Sequence, residues 1–173
     1  MDLADRLSQG KQEIVREWIR ITMEAYPEEA LNVFKRNKDQ FANPLPHIIS
    51  KNITLLFDEL LNGVSSETTI PILSEIVRLK AVQDFGPSDA VNFVFGLKKV
   101  VRKYLEDQKG ERIDADLHLA FEDEIDDLAS MAFDIYVSCR EKLFEIRVNE
   151  IRNQTHMLIR RVNEMDKQKK EAR

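Results

Sequence analysis

The sequence predicts an all-α protein: a single helical bundle followed by a long C-terminal helix. Three observations carry this. The 173 residues contain only five Gly and five Pro, too few for the turns of a β-rich fold. Leu, Ile, Val, Glu, Lys and Arg recur at steps of three and four, the spacing of amphipathic helices. Beyond Gly110 neither Gly nor Pro occurs again, so nothing in the remaining chain is a strong helix breaker.

The first predicted helix runs from about Leu3 to Tyr26, with Leu7, Ile14, Trp18, Ile21 and Ala25 near one face. Pro27 disfavours helical geometry at Tyr26, and "EEALNVFKRNKDQF" reads as a short second helix ending near Phe41. In "FANPLPHIISKNITLLFDELLNG", Asn43 suits the N-cap, Pro44 the first helical position and Gly63 the stop. "SSETTIPILSEIVRLKAVQD" carries the next helix, with its regular part expected from Thr69 because of Pro71 and its end at Asp84 or Phe85. At "QDFGPSDA" the chain turns: Gly86 is the expected N-cap, Pro87 the first helical residue, and Asp89 adds negative charge to the first turn. Ala90, Val94, Leu97, Val101 and Tyr104 then share a face, widened by Phe93, Phe95 and Val100, as expected of a central, buried helix.

"DQKGERID" is the clearest loop, with Asp114 or Asp116 to cap the next helix. That last helical pattern extends from about Ala115 to the late 160s, with core residues Phe121, Ile125, Leu128, Ala132 and Ile135 in its first half. The expected domain organisation is therefore a bundle over 1–143 and a helical extension over 144–173. In that extension Phe144, Val148, Ile151, Thr155, Leu158, Val162 and Met165 follow the alternating four-three spacing of a heptad seam. Charged flanks, including Glu145, Arg147, Arg152, Arg161 and Asp166, suit a coiled coil, although Arg147 beside Arg152 is unfavourable in a parallel dimer. Self-association is the reading adopted; the alternative is that the stripe folds back on its own chain.

Charge and composition exclude several classes. A net charge of −5 leaves no broad basic face, so no nucleic-acid partner is expected. The lone Cys139, in a helix near Tyr136 and Leu143, offers no disulfide framework and reads as core packing in a reducing compartment. No secretory leader is apparent, and no apolar run reaches the ~20 residues needed to span a bilayer. A cytoplasmic location is expected. His47, His118 and His156 form no metal-binding pair, and the acidic run Glu122–Asp127 is expected to be a solvated helix face. No cofactor is expected, and no constellation of acid, base, nucleophile or metal ligands points to an enzyme. The alternative is a haem or small-ligand sensor, with His47 as first axial candidate and His118 as second.

The segment "RLKAVQDFGPSDAVNFVFGLKKVV" resembles the characteristic stretch of the RsbRD N-terminal domain family, named for co-antagonist proteins of bacterial stress signalling. "FANPLPHIISKNITLLFDELL" is similar to a second stretch of that family, and "EIVREWIRITMEAYP" to its Trp-containing opening helix. The resemblance implies a sensory or interaction domain related in outline to haem-free, globin-like input domains of stressosome proteins. There the input domain precedes a STAS domain that contacts a kinase; this chain has no room for one, so it is expected to act as a stand-alone member. The heptad seam makes a homodimer the expected form, working through an unidentified regulatory protein, and the resemblance to stand-alone members implies a peripheral association with a membrane complex. Arg78, Gln83, Asp84, Gly86, Pro87 and Ser88 form the junction between two core helices. Their polar side chains are read as braces for orphan backbone groups, with ligand recognition as the competing role.

Overall fold

A computed structural model describes residues 3–36, 43–108 and 115–171. Among them are seven helices and no strand: α1 (Leu3–Gln9), α2 (Lys11–Glu24), α3 (Glu28–Arg36), α4 (Pro44–Asn62), α5 (Ser66–Val82), α6 (Pro87–Asp107) and α7 (Ala115–Glu171). The expected helix end at Phe41 and the cap at Asp114 lie outside the described residues. The chain divides into two compact units, Met1–Val137 and Ser138–Arg173.

In the first unit α2 packs against α1, α4 and α6, while α4 and α5 pair through the short turn at Gly63. Trp18, Ile14, Ile53, Leu56, Phe57, Ile76 and Leu97 are fully buried there. At about 1.5–3 kcal/mol for each large apolar side chain removed from water, this interior is the main favourable contribution to folding. Polar links cross it as well: buried Asn52 on α4, for example, donates through Nδ2 to the Glu75 carboxylate on α5 at 2.7 Å. The first part of α7 closes the unit by burying Phe121, Ile125, Leu128, Ala132 and Tyr136.

Three expectations are corrected. The first helix is divided at Gly10, a position that only glycine fits because the ring of Tyr104 occupies the space beside it; a Cβ built there would lie 2.1 Å from Tyr104 Cζ. Helix α5 begins at Ser66 rather than Thr69 and continues through Pro71, with the Ser65 carbonyl accepting the amides of Thr68 and Thr69. Pro71 has no N–H to give to the Glu67 carbonyl, so one ladder bond of α5 is forfeited. The acidic run of α7 is not merely a solvated face. Glu122 receives Arg102 of α6 at 2.6 and 2.7 Å, and Asp126 pairs with Lys98 at 2.7 Å. The Arg102 guanidinium holds the Glu122 carboxyl below its usual range.

The second unit is helical, and none of its described residues is buried. Cys139 lies within it and is half-buried, not core, because the buried stripe of α7 ends at Tyr136.

Gly10 supplies a test of the α2–α6 packing. Gly10→Ala is expected to destabilise the protein by about 1–3 kcal/mol, the usual cost of overpacking. In a Tyr104→Ala background the same substitution is expected to cost well under half as much, and urea unfolding of the four proteins checks the coupling.

Candidate functional site: a buried lysine in an aromatic cage

Lys80 stands on the apolar face of α5, one turn beyond Ile76 and Val77. Its side chain is 0% exposed. Around its ammonium lie three rings: Phe85 at 4.5 Å, Tyr26 at 5.3 Å and Phe93 at 5.8 Å from Nζ to ring centroid. Each distance is within cation–π range. The rings come from different parts of the fold. Tyr26 follows α2, Phe85 sits at the α5–α6 joint, and Phe93 belongs to α6. Tyr26 meets Phe85 edge-on at 5.1 Å, and Trp18 stacks on Phe93 at 6.4 Å while donating its indole N–H to the Phe93 carbonyl at 2.7 Å.

The cage surrounds the ammonium without hydrogen-bonding it. Among the described residues, neither Lys80 Nζ nor the Tyr26 hydroxyl, both buried, has a hydrogen-bond partner. Burial pushes the Lys80 pKa down to about 8, opposed by the negative charge of Asp89. Burial raises Tyr26 to about 12. An ammonium removed from water loses several kcal/mol of hydration, and ring faces return only ~0.5–2 kcal/mol each.

Lys80 also lines a cavity of about 330 Å³ between α2 and α6. Its apolar wall includes Ile21, Phe93, Phe95 and Val100; Lys99, Lys103, Glu17 and Asp89 contribute charge. Gly96 brings α6 close to α2 here, since a Cβ would approach Ile21 Cδ1 to 2.6 Å.

The expected junction residues flank Lys80 and Phe85 in the chain. Gln83 caps α5, its amide bonded to the Leu79 carbonyl; Asp84 adopts φ 60°, and the Phe85 amide returns to the Lys80 carbonyl at 3.1 Å. This six-to-one bond around a left-handed residue is a Schellman ending. Gly86 is the N-cap of α6, Pro87 opens it, and the Ala90 amide bonds the Gly86 carbonyl. The side chains of Arg78, Gln83, Asp84 and Ser88 are exposed. Bonds that tie the joint to the rest of the bundle include Tyr136 of α7, whose hydroxyl donates to the Phe85 carbonyl at 2.7 Å. Neither haem candidate reaches the interior: His47 is exposed, and His118 Nε2 lies 3.2 Å from Glu122.

The seam residues of the second unit face solvent. Phe144 is 69% exposed, Ile151 63% and Leu158 61%, with Val162 and Met165 similar. Val148 is half-buried. Thr155 donates its hydroxyl to the Ile151 carbonyl at 2.8 Å, so the polar member of the seam is satisfied within its own helix.

The depressed Lys80 pKa predicts a pH-dependent stability. Above about pH 10.5 the lysine is neutral folded or unfolded and costs nothing; as pH falls from 10.5 to about 8 the unfolded chain takes up the proton and the folded one does not, so stability is lost across that window, and below about 8 the full penalty stays constant. Tyr26 opposes this only above 10.0, its unfolded value. Lys80→Met is expected to stabilise the protein by about 1–3 kcal/mol near pH 7, the gain shrinking towards pH 10. Urea unfolding at pH 7, 8.5 and 10 measures it; a variant less stable than the parent at pH 7 means that the ring contacts outweigh desolvation.

The model of one protein family, the RsbT co-antagonist protein rsbRD N-terminal domain, matches residues 12–151. An uncharacterised protein of Archaeoglobus fulgidus is 32% identical over 79 residues, 45% of this chain, and the aligned part spans about half (48%) of that relative's length. No solved structure matches. With the greater part of its length matched, including α2, the Lys80 cage and the α5–α6 joint, the chain belongs to the RsbRD N-terminal domain family.

Proposed function

We propose that this protein is a non-enzymatic, cytoplasmic signal-input or adaptor protein that acts through protein–protein contacts and pairs with a second copy of itself along Phe144, Val148, Ile151, Thr155, Leu158, Val162 and Met165. The family supplies the coarse part of this reading: its members are input domains of stress-signalling proteins. The observation that carries the finer part is the exposed heptad seam. Six apolar residues at alternating three- and four-residue steps, most of them more than half exposed, form a stripe that a single helix has no means to bury.

A second copy of the same helix is the occupant that the pattern fits. It presents the same spacing, and Thr155, already bonded within its own helix, enters such a seam without leaving an orphan hydroxyl. Among the described residues no helix is long and apolar enough to cross a membrane, which leaves the apolar surface of the tail to a protein or membrane-surface partner. The junction at Arg78, Gln83, Asp84, Gly86, Pro87 and Ser88 acts in this reading as a structural brace, holding the angle between α5 and α6 through its backbone bonds. Its polar side chains stand at the surface, where a regulatory partner has access to them.

Ile151→Glu with Leu158→Glu is expected to lower the oligomer mass measured by light scattering to that of one chain, ~20 kDa, while leaving the helical signal of residues 1–137 intact. An unchanged mass above that of one chain would overturn pairing through this seam, and a parent protein that is already monomeric would assign the stripe to a different protein.

A further inference from the structure

We propose that the cavity beside Lys80 is a binding site for a small organic carboxylate with an apolar body, its charge drawn to the Lys80 ammonium and its body against Ile21, Phe93, Phe95 and Val100.

Four observations converge on this ligand class. Lys80 is fully buried, lines the cavity, and has three N–H donors with no acceptor among the described residues. Aromatic faces favour the positive charge but leave its donor directions unfilled, so an oxygen anion is the complement the site lacks. The remaining charges around the cavity favour an anion as well. Lys99 and Lys103 are cationic, while the carboxylate of Glu17 is already clasped by Arg20 through two bonds of 2.7 Å. Asp89 is the remaining acid, acting on Lys80 through charge without a hydrogen bond.

The apolar wall distinguishes a carboxylate with a hydrocarbon or aromatic body from inorganic phosphate, which would leave Ile21, Phe93 and Val100 without contact. The volume, about 330 Å³, is at the small end for ligand sites and suits a molecule of benzoate size. That such a ligand serves as the signal rests on the input-domain reading above; its binding does not, and the seam plays no part in it.

The experiment titrates the full chain with benzoate, its uncharged isostere benzamide, and inorganic phosphate at constant ionic strength, following the backbone amide resonances of Gly96 and Ala25. Benzoate is expected to shift both resonances saturably at millimolar concentration, with benzamide binding at least tenfold more weakly and phosphate leaving them unmoved. Lys80→Met is expected to reduce benzoate affinity at least tenfold while benzamide binding is unchanged. Equal binding of benzoate and benzamide, undiminished benzoate binding by Lys80→Met, or no saturable shift would overturn the proposal. Phosphate shifting the same resonances in a Lys80-dependent way would overturn the carboxylate class. Oligomer mass is unaffected by any of these outcomes, so this proposal and the seam proposal fail separately.

Discussion

Burying the ammonium of Lys80 costs free energy that the surrounding helices must offset, and the means of offsetting it fixes how those helices meet. A charge in an apolar interior is tolerated only when something polarisable or charged faces it. Here three rings do so, and each ring is anchored by a contact of its own. Phe93 is held by the stacked Trp18 and by the indole bond to its carbonyl. Phe85 is held by the helix ending at Asp84 and by Tyr136. Tyr26 is wedged between Phe34 and Phe85. Parts of α2, α3, α5, α6 and α7 therefore converge on one lysine. Moving any of these elements alone would separate a ring from the cation or leave a backbone carbonyl without its donor.

The ion pairs between α6 and α7 are more conspicuous than the cage and weigh less. Arg102 with Glu122 and Lys98 with Asp126 have short distances, yet Arg102 and Asp126 are about half exposed. Exposed pairs contribute ~0–1 kcal/mol each. Burial of Phe121, Ile125, Leu128 and Ala132 on the same helix contributes several times that, on the ordinary area scale. The pairs thus set the register of α7 against α6, while apolar burial holds it there. Glu124, in the same stretch of α7, has its carboxyl raised by burial and by Asp127, the opposite of Glu122, which Arg102 faces.

The helices were legible in the sequence because their signals are local. Asn43 with Pro44, Gly63, and Gly86 with Pro87 are all cap or stop residues that act within one turn, and each stands where the structure has a helix boundary. The requirement for glycine at position 10 was not legible, since the ring that excludes a side chain there belongs to Tyr104, more than ninety residues away. The role of Glu122 and Asp126 was hidden for the same reason: a run of acids on one helix reads as solvated until the basic residues of another are placed beside it. The cage was the largest omission. A signal for it did exist, because Lys80 falls on the stripe Leu73, Ile76, Val77, Ala81, where a lysine interrupts an otherwise apolar face. Its aromatic neighbours at positions 26, 85 and 93 share no common period, so only the fold brings them together.

The second unit poses the opposite problem, since its pattern was clear and its structure adds exposure in place of contacts. From Ser138 onward no described residue is buried, and the polar flanks offer only modest support, such as the Arg160–Glu164 pair at 3.0 Å one turn apart. Pairs of this kind contribute about 0.2–0.5 kcal/mol each to a helix. Intrinsic propensity adds little more, because isolated helices in water are marginal even with favourable sequences. Phe144, Ile151, Leu158, Val162 and Met165 are exposed, so the seam gives this part of α7 no apolar burial of its own, in contrast to Phe121, Ile125, Leu128 and Ala132 earlier on the same helix.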